Sequence, residues 1–141
     1  MATTTATVSI SSSDLQSGNN LSINASTTCM KAGLTTGLTQ MEMGKSEISA
    51  SLGAKQLQVL STVLGNDGAS KLYLCNNATD DTHYLIVKMN ATSIGRLYAG
   101  DWMFIPWSMR DTSANITIEA EPTGATFGYE WACFKEDETL V

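Results

Sequence analysis

The residues best equipped for chemistry are one histidine and a scatter of carboxylates, and their spacing assembles no recognisable centre. His83 is the sole histidine. A metal site around it would have to be completed by Asp, Glu or Cys at ligand spacing, and no such pattern accompanies it. It follows the Asp80-Asp81 turn, so a plain loop-edge histidine is the stronger reading. Serines are abundant, but none sits in a Gly-x-Ser-x-Gly elbow, which leaves a Ser–His–Asp triad without support. No glycine-rich loop follows a strand and opens a helix, so a phosphate cradle is not indicated.

The carboxylates of the aromatic half are Asp101, Asp111, Glu119, Glu121 and Glu130. A glycosidase needs two of them facing each other across a cleft. Glu130 lies between Tyr129 and Trp131, where burial would raise its pKa. The competing and stronger reading puts it on the solvent side of an amphipathic strand. Trp102, Phe104, Trp107, Tyr129 and Trp131 have the chemistry to stack on sugar rings. With ten aromatics in the whole chain, their use in a core or a subunit interface is favoured. The residues therefore lead to no enzyme and to no cofactor or metal.

Cysteine usage agrees. Cys29, Cys75 and Cys133 are an odd set with no close pair. Cys75 and Cys133 fall in apolar runs, where a free thiol behaves as a small hydrophobe; a single Cys75–Cys133 bridge stays open. The first residues lack the basic and apolar regions of a secretory signal. Asn-x-Ser/Thr patterns at Asn24, Asn77, Asn90 and Asn115 are expected by chance in a chain so rich in these residues.

The elements that must position these side chains are strands. Of the 141 residues, 43 % are hydrophobic and only 16 % charged, with a net charge of −6. That length fits one domain with a real core. The acidic balance and scattered basic residues argue against a nucleic-acid partner, and no apolar run approaches a membrane span. Strand-like runs at 71–75, 83–89, 94–98, 102–105, 116–118 and 127–134 are punctuated by Gly, Asn, Asp and Pro, as in an antiparallel sandwich or small barrel. Leu72 and Leu74 share one face and Tyr73 and Cys75 the other. Phe127, Tyr129, Trp131 and Cys133 oppose Gly128, Glu130, Ala132 and Phe134. Residues 76–81 are expected to close a hairpin, and Gly100 to take a positive φ in the turn before Trp102. Strands apolar on both faces need cover on both. A two-layer body supplies only one, so the second calls for an arm or another subunit.

Residues 1–54 contain no aromatic and cannot build a core alone. They are expected to form an extended N-terminal arm, with residues 55–141 as the body. Within the arm, 7–10 alternates like an edge strand, 13–20 resembles a turn into 21–24, and Gly33 and Gly37 bracket a loop. Residues 55–64 lean toward strand over helix.

The stretch 69–107 carries a K-L-Y-L-x-N-N strand end, a paired strand from His83 to Met89, and a G-R-L-Y-A-G-D-W turn into an aromatic strand. It resembles small virion structural proteins of tailed phages, particularly the head decoration (cement) type. The Ser13-Asp14-Leu15 and Lys31-Ala32-Gly33 neighbourhoods look like the arm of such proteins. The resemblance implies a β-sandwich or jelly-roll-like body on the outer surface of a virion capsid, made in the host cytoplasm. It further implies a homo-oligomer, expected to be a trimer, that binds the major capsid protein. Leu21 and Ile23 in the arm and Trp102, Phe104, Trp107 and Trp131 in the body are the interface candidates. A tail, adaptor or fibre-associated component is the alternative within the virion, and a carbohydrate-binding module the alternative outside it.

Overall fold

The computed structural model describes residues 4–16, 19–29, 38, 40–56, 70–107 and 115–135. They form ten strands: β1 (Thr4–Gln16), β2 (Asn19–Cys29), β3 (Gln40–Ser49), β4 (Lys55–Gln56), β5 (Lys71–Asn76), β6 (Tyr84–Met89), β7 (Thr92–Tyr98), β8 (Trp102–Pro106), β9 (Ile116–Glu121) and β10 (Thr126–Lys135). One 3-10 turn at Ala50–Leu52 follows β3, and no α-helix occurs among the described residues.

β1 and β2 make a two-stranded ribbon of their own. The other eight strands form two four-stranded sheets, β3-β10-β5-β8 and β4-β9-β6-β7. Every pairing is antiparallel. The pairings nest: β3 with β10, β4 with β9, β5 with β8, β6 with β7. A single long hairpin folded over on itself, then closed by β5 on β10 and β6 on β9, has this pattern. It is the double-sheet jelly roll, so the expected all-β sandwich is the fold.

The strands form where β-branched and aromatic residues alternate, and their inner faces make the core. Ile48, Leu72, Leu74, Leu85, Val87, Ile116, Ile118 and Cys133 are fully or almost fully buried there, with Phe127 and Tyr129 beside them. Full burial of each such large aliphatic or aromatic chain contributes about 1.5–3 kcal/mol over leaving it exposed.

Two expectations about organisation change. The span 1–54 is not one arm. β3 lies inside it, is an edge strand of the body, and contributes Ile48 to the core. Its alternation of Met41, Met43, Lys45 and Glu47 with Glu42, Gly44, Ser46 and Ile48 places one large apolar group inside, too weak a signal to show in composition. Residues 76–81 do not close a hairpin either. β5 and β6 belong to different sheets, so this segment is a corner between layers. Of the strand expected at 55–64, Lys55 and Gln56 pair with β9; the remainder lies outside the described residues, as do Gly33, Gly37 and the loop between them.

Asn76 organises that corner. Its side chain is completely buried. Nδ2 donates to Leu97 O at 2.9 Å and to His83 O at 3.3 Å, and Oδ1 accepts from the Ala78 amide at 2.8 Å. Its main chain donates to Asp101 O and accepts from the Gly100 amide. A buried amide side chain is tolerable only when so fully paired. The second corner, 98–101, is tied by Asp101 Oδ2 accepting from the Tyr98 amide at 2.9 Å, with Gly100 at φ +82° as expected. β6 and β7 are the consecutive body strands that stay in one sheet. They are joined by Asn90 and Ala91, both at positive φ (46° and 66°), as a tight right-twisted hairpin requires.

Candidate interaction surface

Alternation around the core fixes what each sheet shows to the outside. On β3-β10-β5-β8 the cross-strand register aligns three outward rows: Lys45–Glu130–Cys75–Trp102, Met43–Ala132–Tyr73–Phe104, and Met41–Phe134–Lys71–Pro106. The middle row carries no charge. Met41, Met43 and Trp102 are half exposed or more, at 54, 60 and 50 %. Phe104 and Phe134 meet at a ring-centroid distance of 6.2 Å.

Lys45, Glu130 and Tyr73 on this face are paired with one another. Lys45 Nζ lies 3.0 Å from Glu130 Oε2, and Tyr73 OH donates to Glu130 Oε1 at 3.3 Å. Hydrogen bonds from Lys45 first, then Asn77, hold the Glu130 carboxyl below the usual range. Burial, reinforced by Cys75 and by the Glu130 charge, pushes the Tyr73 hydroxyl well above its usual range, so it stays a donor.

The other sheet carries charged and apolar groups side by side. Its outward side carries Tyr84, Ile86 and Lys88 of β6, Arg96 and Tyr98 of β7, and Thr117, Glu119 and Glu121 of β9. Lys88 Nζ is 2.6 Å from Glu119 Oε1, and the Arg96 guanidinium lies 4.9 Å over the Tyr84 ring. Exposed apolar groups lie on this sheet too, at Tyr98 and Ile94 of β7.

The ribbon has two unlike faces. Its paired residues sort into one face of Thr4/Cys29, Ala6/Thr27, Val8/Ala25, Ile10/Ile23 and Ser12/Leu21, and another of Thr5/Thr28, Thr7/Ser26, Ser9/Asn24 and Ser11/Ser22. The first face is largely apolar and the second carries hydroxyls and an amide. From Thr4 to Cys29 the only charged residue is Asp14. At its base the ribbon is tied down by Thr4 Oγ1 donating to Leu38 O at 2.6 Å, next to buried Cys29 and Leu38. Residues Thr4, Thr5, Ala6, Thr7 and Val8 run along Tyr73, Trp102, Phe104 and Phe134, enclosing an apolar groove of about 330 Å3. Beyond it the ribbon's apolar face is bare: Ile10 is 49 % and Ile23 46 % exposed.

Of the six interface candidates, Leu21, Ile23, Trp102 and Phe104 lie on these surfaces. Trp107 and Trp131 do not. Trp107 is buried with its amide on Ser70 O, and Trp131 packs against the core from the inner face of β10. The signal for Trp131 was its shared face with Phe127, Tyr129 and Cys133. Sequence reasoning also missed Met41 and Met43, which became surface residues once β3 joined the sheet.

The residues weighed for chemistry are dispersed. His83 stacks on Phe127 at 5.3 Å, with Asp80 Oδ2 3.8 Å from its Nε2. Glu130 and the Glu119–Glu121 pair lie on outward faces of different sheets, and Asp101 serves its corner. Asp111 is outside the described residues. Among the described residues no three His, Cys, Asp or Glu gather as metal ligands. All three cysteines are free and buried; Cys75 points outward and Cys133 inward from neighbouring strands, which separates them. No helix of the described residues is long and apolar enough to cross a membrane. Comparison with protein-family models, curated proteins and solved structures finds no match.

Proposed function

We propose that this chain is a decoration (cement) protein of a tailed-phage head, which strengthens the shell by covering junctions between major capsid proteins. One observation carries the reading: a jelly-roll body has one outer sheet face crossed by a charge-free row with half-exposed Met43 and neighbouring Met41 and Trp102, beside an amphipathic ribbon whose only charge is Asp14. Exposed apolar area of this kind marks a contact surface. The half-exposed Trp102, backed by Phe104, is the natural anchor against the shell, since large aromatics dominate interface energetics. The mechanism is mechanical: each bound copy adds buried area that must be re-exposed before the shell opens, and many copies add avidity.

The test is sedimentation of the full chain with heads that lack decoration. Saturable co-sedimentation at a fixed ratio, lost on Trp102→Lys, is the expected result. Failure to bind any head, with the chain folded, sinks the reading.

A second reading draws on the same groove. Trp102 shares the groove with Thr4, Thr5 and Thr7, and an aromatic face among polar neighbours suits a sugar ring. A glycan titration that shifts tryptophan emission, abolished by Trp102→Ala, favours a carbohydrate-binding module instead.

A further inference from the structure

Four strands form the edges of the two body sheets, and three of them are blunted. β3 carries Glu42, Lys45 and Glu47, and β4 is two residues long. β7 carries Arg96 and pairs with β6 through a register irregularity at Val87/Lys88. Charges, short length and bulges are the devices that keep an edge from pairing with another chain. β8, Trp-Met-Phe-Ile-Pro, has none of them before its last residue. Among the described residues it pairs with β5 alone.

The register fixes what this edge offers. The Trp107 amide donates to Ser70 O, and the Asn76 amide to Asp101 O. Hydrogen-bonded pairs in an antiparallel ladder recur at every second residue. Met103 and Ile105 therefore bond to β5, opposite Leu74 and Leu72. Trp102 and Phe104 direct their N–H and C=O groups away from β5, and Pro106 directs its C=O the same way. The side chains of Trp102 and Phe104 line the apolar groove shared with Thr4–Val8. An unpaired ladder and a groove thus lie side by side on the same two residues.

We propose that β8 is a strand-addition site: an extended, uncharged segment of another protein pairs with Trp102 and Phe104 and sets alternate apolar side chains at the mouth of the groove. The free ladder selects the occupant, because main-chain donors and acceptors at strand spacing are matched by a second extended backbone. In such additions the main-chain bonds supply affinity, and pockets for alternate side chains supply preference. The groove supplies that preference here: Tyr73, Trp102, Phe104 and Phe134 put no charge on it. Charge counts against a second copy of this chain, since each carries −6. From Trp102 to Pro106 the ladder runs only about 13 Å, and Pro106 has no N–H to extend it, so the groove must contribute. The site stands whether or not the chain decorates a head.

The experiment titrates the full chain with a panel of acetylated, amidated octapeptides that alternate Thr with Val, Ile, Leu or Phe, and follows amide exchange by NMR. Binding is expected to slow exchange at Trp102 and Phe104 and to leave Met103 and Ile105, already paired, as they were. Two variants separate the ladder from the face. Phe104→Ala removes the ring and keeps the amide; Phe104→Pro removes both and spares the bonds to β5. Phe104→Pro is expected to bind about tenfold more weakly than Phe104→Ala, the worth of one hydrogen bond. Equal affinity of the two variants, or binding that leaves exchange at Trp102 and Phe104 unchanged, puts the peptide on the face alone and overturns the proposal. So does a lack of binding by every peptide at millimolar concentration. A mass that grows with concentration and is returned to one copy by Phe104→Pro makes a second copy the occupant, which overturns it as well. If Phe104→Pro loses its thermal transition, the exchange rates of the unaltered chain decide.

Discussion

Gly44 of β3 lies directly under the indole of its cross-strand partner Trp131: a Cβ at position 44 would stand 2.8 Å from Trp131 Cζ2. The glycine is needed for space. Gly44→Ala must displace a ring packed against the core, at about 1–3 kcal/mol. A lower urea midpoint with altered tryptophan near-ultraviolet dichroism is expected; an unchanged midpoint would show that the ring swings aside freely.

Ala91 offers the opposite case. It holds φ +66° without being glycine, in a hairpin turn whose preferred pair is Asn-Gly. A non-glycine residue there stores on the order of 1 kcal/mol or more. Ala91→Gly is expected to raise stability by about 1 kcal/mol in chemical denaturation, a gain that Ala99→Gly at the next corner should not reproduce.

Asn76 joins the two sheets through hydrogen bonds that no apolar side chain can replace. Asn76→Leu strands the Leu97 carbonyl and the Ala78 amide and is expected to cost about 1–3 kcal/mol for each group left buried without a partner. Faster hydrogen exchange at Ala78 would localise the loss to the corner.

Acid should weaken the outer face of β3-β10-β5-β8. The Glu130 carboxyl titrates below its ordinary value of 4.5 because Lys45, then Asn77, hydrogen-bonds the charged form. A depressed folded value means the unfolded chain takes up the proton first. The stabilisation is complete above the unfolded value and lost as pH falls through the folded one. Asp80, held down by the Thr82 hydroxyl and amide, acts in the same direction. Urea midpoints measured from about pH 5 to 3 should fall, and Glu130→Gln should make that fall shallower.

Truncation separates the ribbon from the body. Removing residues 1–37 spares all eight body strands, whereas removing 1–54 takes away β3 and the buried Ile48. Loss of Ile48 alone costs about 2–5 kcal/mol of the roughly 5–15 available to a small domain. The shorter deletion should keep a cooperative thermal transition, and the longer one should abolish it.

The body strands from β5 to β10 were legible because their apolar residues alternate between clear turns. Alternation tells which side chains share a face, as for Tyr129, Trp131 and Cys133, but not which face turns inward. Trp131, on the inner face of β10, packs against the core, and Trp107 just after β8 is buried, so neither lies on the outer surfaces. β3 was hidden by its charges, which sit harmlessly on an edge. The ribbon showed only in its most regular stretch, because hydroxyl residues blur the contrast between faces. Turn composition around Asn76 marks a chain reversal but not that the chain crosses to the other sheet. The connection 77–83 exceeds the roughly two to five residues of an ordinary hairpin, and that length was the available clue.

The nested pairing also sets the order in which this molecule can come into being. β3 finds its place only against β10, so the first body strand waits for the last. Nearly every pairing closes a long loop, which makes for slow folding. During synthesis the innermost hairpin, β6 with β7, can form early, while the early-made Met41 and Met43 wait for the strand that carries Phe134. Until β10 leaves the ribosome, the chain carries an unpaired edge and a half-built apolar face in a crowded cell.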